Sequence, residues 1–136
     1  MTGGTYTLVY EVPEQIGLTV GALGDHRLPA GGYTYTGSAL GRGGFSRIER
    51  HERVAAGEHD TRHWHVDYLG SHERVRLVDD WRLPAAAVEC AVARRLADSP
   101  VPGFGASDCD CAAHLARYPD VETAREAVTE VHGELS

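Results

Sequence analysis

Apolar and polar positions alternate from Thr5 to Val12 (TYTLVYEV), a run rich in β-branched and aromatic residues, which predicts a strand ended by Pro13. Leu18 to Gly21 predicts a second short strand, and Gly31-Gly32 announces a third, Tyr33 to Thr36. The first third therefore reads as a small antiparallel sheet joined by Gly/Pro turns. Gly41, Gly43 and Gly44 mark a loop, after which Phe45 to Ala55 takes on helical spacing. There Arg47, His51 and Val54 stand at i, i+4 and i+7, so Arg47 and His51 share a face. His63 to Leu69 predicts a short helix or turn, and Arg74 to Trp81 alternates as a strand. Pro84 suits the first position of a helix that continues through Ala85, Val88, Val92 and Leu96 to about Ala97. Ser99 to Asp110 is a loop, Ala112 to Tyr118 a short strand, and Val121 to Val131 a closing helix with Val121, Ala124, Val128 and Val131 on one face. No repeat or linker interrupts the pattern. The expectation is a single α+β domain over residues 1–136.

Composition changes this picture only in its charge. At 136 residues the chain can bury one core, and its 42% apolar and 24% charged residues are ordinary for a soluble domain. No run reaches the length of a membrane span, and the N-terminus lacks the layout of a signal peptide. The expectation is a cytoplasmic protein with no membrane partner. All 13 bases are arginine, lysine and asparagine are absent, and the formal charge is −7. Drift in a GC-rich genome is one reading; a halophilic chain, whose carboxylates hold hydration at high salt, is the favoured one. An acidic balance argues against a nucleic-acid partner, because phosphate neutralisation supplies most non-specific affinity. Distribution softens the objection: Arg42, Arg47, Arg50, Arg53, Arg62, Arg74 and Arg76 fall mid-chain, whereas Asp120, Glu122, Glu126, Glu130 and Glu134 crowd the tail. Three cysteines, Cys90, Cys109 and Cys111, make no disulfide framework and imply reduced thiols.

Four groups of residues could carry chemistry, and each has a plain structural alternative. Glu89 shares a side of its predicted helix with Ala85, Val92 and Leu96; a carboxylate there needs a cation or donors, unless it sits at the border and reaches solvent. Tyr6, Tyr10, Tyr33 and Tyr35 form a tyrosine-rich sheet, which simple cross-strand pairing also explains. Arg47 and His51, one turn apart, could grip one phosphate or form a solvated pair. Cys109, Cys111 and His114 offer zinc-type ligands, but no second Cys/His pair follows at structural-site spacing, and loop packing is the expected role. The Gly41 to Gly44 segment has no P-loop lysine.

Their order along the chain is more informative. Gly4-Thr5-Tyr6 on a first strand is followed by Tyr35-Thr36-Gly37 ending a later one, then by a Gly-rich loop, a helix with Arg47 and His51, and a helix with Glu89. This order resembles the GIY-YIG endonuclease superfamily, with Thr5 and Thr36 in place of the motif isoleucines. The resemblance covers nearly all of the first 97 residues, a catalytic-type core at about 3–97 with a loop and helix extension over 98–136. More specific is its similarity to the Uri-type small GIY-YIG domain proteins, in Gly21-Ala22-Leu23-Gly24, in Tyr35 to Gly41 (YTGSALG), in Trp64 to Leu69 (WHVDYL) and in Pro102 to Cys109 (PGFGASDC).

The resemblance implies a divalent-metal-dependent endonuclease hydrolysing DNA phosphodiester bonds, with Mg²⁺ or Mn²⁺. It implies Tyr6 and Tyr35 as the motif tyrosines, Arg47 and His51 as the helix pair, and Glu89 as the metal carboxylate. The chemistry asks for such groups: a phenol to relay a proton from water, a guanidinium against developing phosphoryl charge, and a hard oxygen ligand for the cation. There are departures. The downstream asparagine of several members is missing, and a longer loop before Arg47 makes Arg50 a rival for its role. His65 and Asp67 stand either as replacements for that asparagine or as capping and packing residues. DNA is the implied partner, together with fusion or association with DNA-repair proteins. The alternative function is a nucleic-acid-binding module of the same fold with weak or lost catalysis. A protein-interaction domain is a third reading, resting on the charge alone.

Overall fold

The alternating N-terminal run is the spine of the molecule. The computed structural model describes residues 3–19, 23–38, 46–55, 69, 72, 74–84, 88–96 and 113–135. Strand β1, Gly4–Val12, is buried at every position except Glu11, because it is paired on both edges and covered on both faces. On one edge it runs antiparallel to β4, Gly31–Ser38, with Tyr6 opposite Gly37, Thr7 opposite Thr36 and Leu8 opposite Tyr35. On the other it pairs antiparallel with β5, Arg76–Pro84, with a register irregularity between Val9 and Tyr10. A last strand, β6, Leu115–Tyr118, adds antiparallel to β4, giving the order β5-β1-β4-β6. Between β1 and β4 the chain forms a separate hairpin of β2, Ile16–Thr19, and β3, Asp25–Leu28. Gly24 enters β3 at φ 80, a left-handed conformation that glycine adopts without steric cost.

Alternation along β1 builds two cores. Tyr6, Leu8, Tyr10 and Val12 face one side, where they join Tyr33, Tyr35, Leu115 and Ile48 of helix α1, Ser46–Ala55. Val9 faces the other, with Leu83 and Ala116, under helices α2, Glu89–Arg95, and α3, Val121–Leu135. Val92 and Leu96, and Ala124, Val128 and Val131, supply the apolar stripes that cover this second face. The result is an α+β fold: among the described residues, an antiparallel sheet carries α1 on one face and α2 and α3 on the other. Helix α3 is preceded by Asp120, whose Oδ1 accepts the Thr123 N–H at 2.7 Å, a side-chain N-cap that holds the carboxyl below its ordinary value. No helix among the described residues is long and apolar enough to cross a membrane.

Most predicted elements are present, with four differences. Pro84 ends β5 opposite Gly4 at the sheet's margin and does not open a helix; residues 85–87 lie outside the described set. The helix itself begins at Glu89, with Val88 as its N-cap residue. Strand β3 was not predicted, since Asp25-His26-Arg27 is charged and only its last residue, Leu28, is buried. The tail beyond residue 97 supplies β6 and α3, hence the sheet's fourth strand and half of the buried residues of one core, and is integral to the domain. The predicted elements around His63 to Tyr68 and Ser99 to Asp110 fall outside the described residues.

Candidate active site around Tyr6, Tyr35 and His51

Residues 6, 35 and 51 meet because three elements converge at one end of the sheet. Tyr6 and Tyr35 project from neighbouring strands on the same face, two residues apart in register. Helix α1 crosses that face and buries Ile48 and His51, one turn apart on its inner side, while Glu49, Glu52 and Arg53 stay exposed. The Tyr6 hydroxyl lies 2.8 Å from His51 Nε2 in a hydrogen bond. The ring centroids are 5.6 Å apart for Tyr6 and His51, 6.1 Å for Tyr35 and His51 and 6.4 Å for Tyr6 and Tyr35. Three rings with polar ends thus form a closed triangle with almost no exposure: 1% for Tyr6, 6% for Tyr35 and 2% for His51. The other two tyrosines belong to the framework. Tyr10 is buried in the same core, and the Tyr33 hydroxyl donates to Pro29 O at 2.6 Å.

Arg47 occupies the α1 position one turn before His51, and Arg50, partly buried, precedes His51 directly. The side chain of Arg47 lies outside the described residues, as does that of Glu89. Glu89 nevertheless has a changed setting. Expected one turn into a helix on an apolar face, it is the first residue of α2. That backbone position is one where the helix dipole favours a carboxylate. The start of α2 is tied to β1: the Val88 N–H donates to Thr5 Oγ1 at 3.0 Å, next in sequence to Tyr6. His65 and Asp67 lie outside the described residues, as do Cys109, Cys111 and the Gly41 to Gly44 loop. Among the described residues no three of His, Cys, Asp and Glu group around one point. A hydrated Mg²⁺ does not need such a group, since one carboxylate and waters can hold it; a glutamate offers the hard oxygen that ion takes, not the sulfur and imidazole of a structural zinc site.

Sequence reasoning missed the polar layer behind this triangle. On the opposite face of β1 and β4, Thr7 Oγ1 lies 2.8 Å from His132 Nε2 and 3.2 Å from Thr36 Oγ1. All three residues are buried, and His132 Nδ1 has no hydrogen-bond partner among the described residues. Burial holds the His132 imidazole below its ordinary pKa. The pattern did contain the signal: position 132 continues the face of Ala124 and Val128 at i+4 steps. A groove lined by Glu52, Asp79 and Asp80 beside Arg76 runs between α1 and β5, and its carboxylates disfavour a phosphate there.

The fold and the site together define a small α+β protein with a buried Tyr–His–Tyr cluster on one face of its central strands. A family described as "Domain of unknown function DUF123" matches residues 5–136, and the chain belongs to it. No curated protein and no solved structure matches the chain.

Proposed function

We propose that the protein is a GIY-YIG-type, Uri-like nuclease of the cytoplasm that hydrolyses DNA phosphodiester bonds with Mg²⁺ or Mn²⁺. The observation that carries this reading is the 2.8 Å bond between the Tyr6 hydroxyl and His51 Nε2, with Tyr35 packed against both. It joins two residues 45 apart in sequence that the resemblance assigns to one site.

The chemistry follows from that contact. With Nε2 unprotonated, Tyr6 donates its proton to His51, and the phenolate takes a proton from a water beside the scissile phosphate. The hydroxide attacks phosphorus, the bridging P–O bond breaks, and the departing alkoxide takes a proton from solvent. Arg47, with Arg50 as its rival, faces the charge developing on the non-bridging oxygens. Glu89 would hold the divalent cation, which supplies charge neutralisation at the phosphate. The low-dielectric surroundings of Tyr6 and His51 make their bond electrostatically stronger than in water, and the reacting water has to reach the Tyr6 oxygen from the substrate side. The negative net charge disfavours loose attraction to DNA, so recognition rests on shape and on the metal.

The test is incubation of the protein with single-stranded, duplex and branched DNA, with Mg²⁺ or Mn²⁺, up to molar salt. Cleavage that chelation abolishes supports the proposal. Binding without cleavage under every condition makes the chain a nucleic-acid-binding module of the same fold. Neither binding nor cleavage removes both readings.

A further inference from the structure

We infer that Gly37 is a positioning residue for Tyr6: its missing side chain is the space in which the phenol lies, and this sets the hydroxyl on His51. The inference deepens the proposed nuclease reading and rests on it for its link to catalysis. Gly37 sits directly opposite Tyr6 in the β1–β4 pairing. A Cβ at Gly37 would lie 2.6 Å from both Tyr6 Cζ and Tyr6 Oη, and 3.2 Å from Tyr35 Cε2. Carbon atoms in contact keep about 3.5–4.0 Å, so the phenol would have to move by roughly 1 Å.

Backbone conformation gives no reason for glycine here, because Gly37 does not adopt the positive φ of Gly24. The reason is the phenol. Gly31 and Gly32 serve a different purpose, since a Cβ there would meet the backbone of Tyr118 and Asp120, where β6 and the start of α3 cross β4. Gly37 is the described glycine whose Cβ would meet the hydroxyl that bonds His51. Tyr35 and His51 neighbour the ring at centroid distances of 6.4 and 5.6 Å, so a displaced phenol moves its hydroxyl relative to His51 Nε2. The third residue of the Tyr35-Thr36-Gly37 string thus acts on Tyr6 of the partner strand.

Two measurements test this, and neither requires DNA. Thermal unfolding is compared for Gly37→Ala in the native chain and in a Tyr6→Leu background. The midpoint falls by several degrees in the first and stays level or rises in the second, because alanine is the better strand residue once the phenol is gone. An equal fall in both backgrounds overturns the inference. Gly17→Ala serves as the control, since its Cβ meets nothing within 4 Å. In the folded Gly37→Ala protein, the His51 ring nitrogen resonances shift as they do in Tyr6→Phe. Unchanged resonances overturn the inference as well. Where wild type cleaves DNA, Gly37→Ala lowers the rate roughly 100-fold, the order expected for a misplacement of about 1 Å. A wild-type rate in that variant removes Gly37 from the reaction. Absence of cleavage in the wild type defeats the nuclease reading and leaves the stability and resonance outcomes to decide the positioning.

Discussion

The Tyr6 hydroxyl and His51 Nε2 form a 2.8 Å hydrogen bond between two residues at most 2% exposed, one on the central strand and one on the helix that crosses it. Such a bond has two uses. As a structural contact it contributes about 0.5–1.5 kcal/mol net. As a relay it lets a phenol give up its proton to an adjacent base, which is chemistry a core bond does not need.

The two uses differ in what Tyr6→Phe does. A structural bond lost from the core changes stability by the small amount above and leaves hydrolysis intact. A relay lost lowers DNA hydrolysis by about 10²- to 10⁴-fold with the fold retained. His51→Ala is expected to give a loss of the same order, and the double variant no more than the larger single loss, since the pair acts as a unit. Single-turnover cleavage of the three variants checks this. A Tyr6→Phe protein with wild-type turnover would remove Tyr6 from the mechanism.

Glu89 stands at the first residue of α2, beside the Val88–Thr5 bond. Glu89→Gln keeps the size of the side chain and removes its charge. Mg²⁺-dependent cleavage is expected to vanish, and calorimetric Mg²⁺ binding with it. Stability should fall by about 0.3–1 kcal/mol, the worth of a carboxylate against the helix dipole. Unaltered Mg²⁺ binding in this variant would assign the cation to other residues.

The parts of this architecture that were legible in the sequence are those with strict periodicity. β1 alternates through Tyr6, Leu8 and Tyr10 and emerged as a strand, although it is buried on both faces, and α3 repeats at Ala124, Val128 and Val131, so its buried face was legible. The start of α2 did not, because Pro84 is equally at home ending a strand at a sheet margin and opening a helix, and only the pairing with Gly4 decides. Within the candidate site, Tyr6, Tyr35 and His51 were nameable from motif order. Their convergence depends on β4 lying next to β1 with Tyr35 opposite Leu8, a register no local pattern specifies. The pairing of Thr7 with His132 was not legible for a related reason, although the helix periodicity did place His132 on the buried face. A threonine in a strand and a histidine in a helix become partners only when α3 packs across the sheet, 125 residues away in sequence.

His132 makes stability depend on acid pH. Its folded pKa is depressed by burial, whereas in the unfolded chain it titrates at the ordinary 6.5. As pH falls below that value the unfolded chain takes up a proton that the folded protein refuses, so stability is full above 6.5 and declines below it, toward the depressed folded value. The slope from this one group is at most about 1.4 kcal/mol per pH unit. Denaturant titrations across this range, with His132→Gln alongside, should show a shallower acid decline in the variant. Parallel curves would assign the acid sensitivity to other groups.

Tyr33 sets the opposite limit. Burial raises its pKa from 10.0 to about 12, with the Arg117 guanidinium working partly against the shift. Between those values the unfolded chain loses the phenolic proton while the folded protein keeps it. Stability is therefore full below pH 10 and falls as the pH climbs toward 12. The hydroxyl also donates to Pro29 O at 2.6 Å, holding the turn that leads from β3 into β4. Tyr33→Phe should lose about 0.5–1.5 kcal/mol at neutral pH and lose part of the alkaline decline as well. An ultraviolet titration should show one phenol fewer ionising at the high end. Because Tyr33 lies two residues before Tyr35 on the same strand face, cleavage by Tyr33→Phe at neutral pH separates a framework tyrosine, which leaves the rate near wild type, from a member of the reacting cluster, which does not.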